Sequence, residues 1–170
     1  TNYGRKIMTD TLSLCAQEVR YHDWDRFLFT LFAPVKVRED LFTFLAFNSE
    51  VARTREMVSE PLLGEIRLQW WQDAIDGIYD GTLDAIQGHY VLAHLPKVIR
   101  DHGLTKKFID QLIDARLADL FDKPPQDERD LIDYALGTSG ALNILLLEIL
   151  GANENLQDKA SKLGIAWALT

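Results

Sequence analysis

The stretch "FLAFNSEVARTREMVSE", residues 44 to 60, decides how this chain is read. Leu41, Phe44, Leu45, Asn48, Val51 and Ala52 recur at spacings of three and four, the period of one helix face. The spacing predicts a long core helix that begins near Val37 and runs through the whole stretch. Its inner face stays mostly apolar until Asn48, and its second half then carries Arg53 and Arg55. Carboxylates four apart on such a face hold magnesium while leaving coordination positions to water and phosphate. Here that face offers Ala52, Arg53 and Glu56 instead.

The same helical period dominates outward from this segment, and no sustained apolar and polar alternation with a hairpin turn interrupts it. An all-α chain is predicted, folded as a single domain over residues 1 to 170. Thr9 or Asp10 is expected to cap a first helix reaching Glu18 to Arg20, and "DWDRFLFTLFA" forms a second that Pro34 stops. After Ser59-Glu60, Pro61 suits the first turn of a helix that Gly81 closes. Further helices are expected at about 83–94, 105–122, 127–150 and 155–169, with Pro124-Pro125 and Gly151 with Asn153 as separators. Gly137, Ser139 and Gly140 fall inside the helix at 127–150, where each glycine costs roughly 1 kcal/mol relative to alanine. Such residues predict a close helix neighbour or room for a ligand.

Composition excludes several function classes. The chain has 47% apolar and 26% charged residues, ordinary for a globular protein. With 18 basic against 26 acidic residues the net charge is -8, which argues against broad nucleic-acid binding and disfavours anionic membranes. Cys15 is the one cysteine, so no internal disulfide forms; with its apolar neighbours Leu12 and Leu14 it reads as a small core residue. The longest apolar run, "ALNILLLEILG" at 141–151, is shorter than the roughly 20 residues of a bilayer crossing and contains Glu148. It reads as a buried helix, and no transmembrane segment is expected. No secretory signal is read at the start, and Met8, a little way in, fits a processed or trimmed chain.

Two literal acidic pairs have metal-binding spacing, Asp76 with Asp80 and Asp110 with Asp114; Asp119 and Asp122 add acid to the second helix. In a chain this acidic, a solvated face explains them more simply. His22, His89, His94 and His102 lack the companion residues of a zinc site. Neither the nucleophile elbow of serine hydrolases nor a phosphate-binding Gly-rich loop is present. Trp70 and Trp71 face about 100° apart on a helix, so one indole is expected in the core and the other over a seam or partner.

The segments "LFAPVKVREDLFTFLAFNSEVARTREMVSE", "GEIRLQWWQDAIDGIY", "IDARLADL", "YALGTSGALNILLLEILG" and "ASKLGIAWALT" occur in an order that resembles the squalene and phytoene synthase family. The resemblance runs from about residue 24 to the end. It implies a helical bundle of the isoprenoid synthase type, in which two facing aspartate-rich motifs bind magnesium and diphosphate while two prenyl diphosphates are joined head to head. At the positions matching the first motif only Glu56 is a carboxylate. Arg53 puts a fixed cation where the metal belongs, and two unit charges about 4 Å apart repel by about 4 kcal/mol at an effective dielectric of about 20. The second motif follows "LGIAWALT" in the family, so a bundle truncated at the C-terminus and lacking that region is expected. Arg38, Tyr134 and Gly140 match other family positions, and Asp119 matches the acidic residue of an Asp-Leu step. "AFNSEVARTREMVSE" with "RLQWWQDAIDGIY" is similar to the branch that contains the mitochondrial complex I assembly factor of this fold and its alphaproteobacterial relatives.

That resemblance implies a catalytically silent family member, a pseudoenzyme that acts as an assembly or interaction factor without a cofactor. Its partner is then a protein of a respiratory-complex assembly pathway, with peripheral contact at the inner membrane. The bacterial cytoplasm or the mitochondrial matrix is the implied compartment. In that reading Glu50, Arg53 and Glu56, spaced by three, form a charge ladder along the helix. One alternative is an active magnesium-dependent prenyltransferase of isoprenoid biosynthesis, for which Glu56, Asp119 and residues beyond Thr170 must rebuild the metal site. A third reading is metal-independent binding of an anionic lipid or prenyl diphosphate by Arg53, with Arg38, Tyr134 and Gly140 as further binding residues.

Overall fold

The computed structural model describes residues 12–121 and 124–170, and no strand occurs among them. The architecture is an all-α bundle. Thr9, Asp10 and Asp122 lie outside the described residues; Ser13 caps α1, Leu14–His22, by accepting the amide N–H of Ala16 at 3.1 Å. Asp23 then caps α2, Trp24–Leu31. The central helix α3 spans Val35–Ala52 and starts directly after Pro34, two residues earlier than expected.

Every residue of α3 from Leu41 to Ser49 is buried. Periodicity predicts one buried face, but α1, α2, α6 and α9 enclose the helix around its whole circumference. Aromatic packing makes this possible. Phe42 stacks on Phe27 with ring centroids 5.4 Å apart, and Phe47 meets Trp71 edge to face at 5.2 Å. Each fully buried phenylalanine contributes roughly 1.5–3 kcal/mol.

The helix does not run through residue 60. It stops at Ala52, where Arg53 takes φ −91° and ψ 9°, and a single turn, α4, Thr54–Met57, follows. Thr54 is buried and its hydroxyl donates to the Glu50 carbonyl at 3.3 Å, which occupies an oxygen freed at the helix end. Glu60 is extended, as a residue before proline prefers, and α5, Pro61–Asp80, ends at Gly81 in the left-handed region.

No helix forms over 83–94. Asp80 accepts from both the amide and hydroxyl of Thr82, the Leu83 amide donates to the Gly77 carbonyl at 2.7 Å, and Gly88 sits at φ 95°. These contacts turn the chain back, so Val91 and Leu92 enter the core from turns. The helix comes later, as α6, Leu95–His102, with Pro96 in its first turn and Gly103 beyond its end.

Beyond it, α7 spans Lys106–Ala115 and a 3-10 turn spans Ala118–Phe121. The long helix expected at 127–150 comprises α8, Glu128–Ala135, a π-helical turn, Leu136–Gly140, and α9, Ala141–Ile149. In the wide turn the Ala141 amide donates to the Leu136 carbonyl five residues back. A 3-10 turn at Glu154–Leu156 leads into α10, Gln157–Ala168. The run Glu128–Ile149 has the 22 residues of a candidate bilayer crossing, but 44% of its apolar window is buried in the bundle, where α9 lies against α3, α7 and α10.

The small residues of the wide turn accommodate helices, not open space. A Cβ on Gly164 of α10 would overlap the Ser139 carbonyl and come within 2.8 Å of the Gly140 Cα; one on Gly137 would come within 2.9 Å of the Ala115 Cβ. Gly164→Ala should therefore destabilise the protein by about 1–3 kcal/mol, because backbone rather than a mobile side chain must give way. Gly140→Ala, which meets the Ser161 hydroxyl at 3.2 Å, should cost less; urea unfolding of the two variants checks the order.

Cys15 is buried, and its thiol lies 3.4 Å from the Tyr90 carbonyl. Burial pushes the thiol up from 9.0 to about 11. Because the folded value exceeds the unfolded one, this group's contribution is complete below pH 9.0 and is lost as pH rises through about 11. Urea midpoints should fall more steeply between those limits for wild type than for Cys15→Ala.

Candidate functional site

The break after Ala52 places the three positions of the first acidic motif on different local structures. Ala52 ends α3, Arg53 is the junction and Glu56 lies on α4. The Arg53 guanidinium donates through Nη1 to His22 Nε2 at 2.6 Å and pairs through Nε with Glu56 at 3.3 Å. His22 in turn lies 3.3 Å from Glu18. The side chain of Glu56 is 71% exposed and already neutralised. A single exposed carboxylate beside an arginine does not fit a magnesium ion, and among the described residues no three His, Cys, Asp or Glu group to hold one.

The expected ladder from Glu50 through Arg53 to Glu56 is only half formed. Glu50 turns instead to the interior, where its carboxylate accepts from Arg67 of α5 and from the Tyr90 hydroxyl. This cluster ties α3, α5 and the 81–94 turns together. Burial and the Glu50 carboxylate push the Tyr90 hydroxyl far above its ordinary range, so it stays a donor. Sequence reasoning placed Glu50 on the ladder and missed this role; the available signal is an acid between buried Ser49 and Val51, which must find partners.

The other matched positions are each engaged locally. Arg38 donates to the Ala33 carbonyl at 3.0 Å and braces the turn before α3. Asp119 accepts from Tyr134 at 2.8 Å and pairs with Arg116 at 3.3 Å, while Arg116 also donates to Tyr134 at 2.9 Å. Burial raises the Tyr134 hydroxyl, with Arg116 opposing the shift and Asp119 adding to it. Gly140 lies under α10. Arg38, Arg53, Tyr134 and Gly140 thus do not converge on one pocket, and Asp119 is held by Tyr134 and Arg116 rather than by Glu56.

Lys106 stands between the two literal acidic pairs, 2.8 Å from both Asp76 and Asp110, and its hydrogen bond lowers the Asp76 carboxyl. Asp80 caps the turn at Thr82, and Asp114 is exposed. The histidines are dispersed: His22 meets Arg53, His102 meets Asp40 at 2.8 Å, His89 accepts from the amides of Val91 and Leu92, and His94 precedes α6. The tryptophans divide as expected. Trp71 is fully buried against Phe47, whereas Trp70 is 42% exposed and lies 5.7 Å from the His89 ring.

A groove of about 460 Å³ opens between α2, α3, α9 and α10, with Phe29, Thr30, Leu45, Leu146, Leu163 and Trp167 in its wall. Phe29 meets Trp167 edge on at 5.9 Å. Arg26 brings charge to this wall, but its guanidinium lies 5.3 Å over Trp167 and pairs with Asp23 at 2.6 Å. The groove suits an apolar chain, and none of Arg38, Arg53, Glu56, Tyr134 or Gly140 lines it.

These environments predict unequal losses. Glu50→Ala leaves Arg67 and Tyr90 without their acceptor and should cost about 2–3 kcal/mol. Arg53→Ala removes a partly exposed ion pair and should cost less than about 1 kcal/mol. Parallel urea titrations compare them.

The chain is 35% identical over 147 residues to the Bos taurus protein named NADH dehydrogenase (ubiquinone) complex I, assembly factor 6, a match covering 86% of the chain and 43% of the relative. It is 33% identical to the Homo sapiens protein of that name over the same shares, and 31% identical over 160 residues to the Drosophila melanogaster homolog, covering 89% and 46%. The chain therefore spans less than half the length of these curated relatives. The model of the squalene/phytoene synthase family matches residues 19–170, and the chain belongs to that family.

Proposed function

We propose that this protein is a member of the squalene/phytoene synthase family that has set aside metal-dependent prenyl transfer and serves as an assembly factor for respiratory complex I. The observation that carries the reading is the seat of Arg53: its guanidinium, tied to His22 and Glu56, occupies the end of the helix from which family enzymes present metal-binding aspartates. The names of its relatives from Bos taurus and Homo sapiens support the same role. The protein works without magnesium, through protein contacts, in the bacterial cytoplasm or mitochondrial matrix beside the membrane that houses the complex.

Two measurements test this. Deleting the gene should lower the amount of assembled complex I, read on native gels, without changing cellular squalene or phytoene. Purified full-length protein with magnesium should release no diphosphate from farnesyl or geranylgeranyl diphosphate. Turnover that Glu56→Gln abolishes would instead establish the transferase.

A further inference from the structure

The outward side of α5 is apolar where a surface helix ordinarily turns polar residues to water. Leu62, Ile66 and Trp70, each four residues beyond the last, are 61%, 58% and 42% exposed, and Leu63 and Met57 are exposed nearby. They lie on one line of the helix. Continued at spacings of three and four, the line runs through Gln69, Asp73, Asp76 and Asp80, all exposed. The seam is therefore apolar along its first half and acidic along its second.

The charge is only partly cancelled from within. Asp76 is neutralised by Lys106, but Asp73 accepts from the Gln69 amide and Asp80 from Thr82, so neither meets a cation among the described residues. Glu60 adds an exposed carboxylate at the start of the helix. The basic residue of α5, Arg67, is turned inward to Glu50. Trp70 supplies a large anchor of the kind that dominates interfaces, set against the His89 ring.

We propose that this face of α5 docks an amphipathic helix of a partner protein, with an apolar stripe seated on Leu62, Ile66 and Trp70 and lysines or arginines opposite Asp73 and Asp80. The proposal deepens the assembly-factor reading and rests on it. Helix-in-groove recognition uses anchors at this spacing, and complementary charge fixes register and partner choice. A second copy of this chain paired α5 on α5 does not fit. Antiparallel pairing along α5 would oppose Glu60 and Glu65 to Asp73 and Asp80, and parallel pairing would stack each aspartate on its counterpart. An anionic membrane meets the same repulsion.

The test uses full-length protein and a fluorescein-labelled synthetic peptide of about 18 residues, long enough to form helix, with leucines at helical spacing and flanking lysines. A control peptide carries glutamate in place of each lysine. Anisotropy titrations at about 50 mM salt should show the lysine peptide binding at least about tenfold more tightly, a preference that shrinks at about 300 mM. Ile66→Glu should weaken binding about tenfold or more, and Asp73→Lys should erase the preference for the lysine peptide, both with unchanged circular dichroism. Equal affinity for the two peptides, or binding indifferent to both substitutions, overturns the proposal. So does a dimer in sedimentation, or flotation with phosphatidylcholine–cardiolipin vesicles, that Ile66→Glu abolishes. Failure of the wild type to bind the lysine peptide, in cells where gene deletion still depletes complex I, removes the α5 surface and leaves the assembly role standing.

Discussion

The fold depends on burying α3 around its entire circumference. A helix covered on one side can send polar groups to water from the other, but one buried from Leu41 to Ser49 leaves them no such exit. Polar groups near its end therefore depend on protein partners, because an unpaired buried group costs kilocalories, a cost that the side-chain oxygen of Asn48 bears. Glu50 does so by recruiting Arg67 and Tyr90, and those contacts orient α5 and the turns after it. The packing of the aromatic interior and the placement of one carboxylate are two aspects of the same requirement.

The same constraint bears on whether residues 52, 53 and 56 can hold a metal ion. A metal site on a helix needs its carboxylates one turn apart on a continuous surface. Here the helix ends at Ala52, so residues 52, 53 and 56 no longer share one. Charge and backbone act in the same direction: the guanidinium, itself paired with Glu56, repels a cation, and the break interrupts the helix on which the three positions would stand about one turn apart. Restoring acidic side chains alone would leave the second obstacle in place.

Much of the architecture was legible because its signals are local. Pro61 and Gly81 bracket α5 by restricting their own backbones, and adjacent positions on a helix divide Trp70 from Trp71. The failures are of another kind. The segment 83–94 carries enough apolar residues to read as a helix, but Asp80 reaching forward to Thr82 and Gly88 at φ 95° decide otherwise. Pro96 and Gly103 are the local signals of the true helix, one in its first turn and the other beyond its end. The end of α3 was missed because a buried threonine bonding to the Glu50 carbonyl has no signature in periodicity. The spacing of Glu50 suggests one rung of a local ladder, but its partners lie 17 and 40 residues away.

Interior and exterior therefore carry different information. The crossing of α10 over Ser139 and Gly140 and the stack of Phe27 on Phe42 tolerate little change, since neither backbone nor buried ring can move aside cheaply. They specify a family shape and say little about what the shape is used for. The outer seam of α5 is under no such packing demand, and polar residues there would satisfy the fold equally well. Exposed Leu62 and Ile66 make no call on the core, and a row of carboxylates along one helix repels itself slightly. A surface that is suboptimal for the isolated chain is the place where a requirement from outside the described residues is felt, and that is the ground on which the seam of α5, rather than residues 52, 53 and 56, is proposed as the docking face.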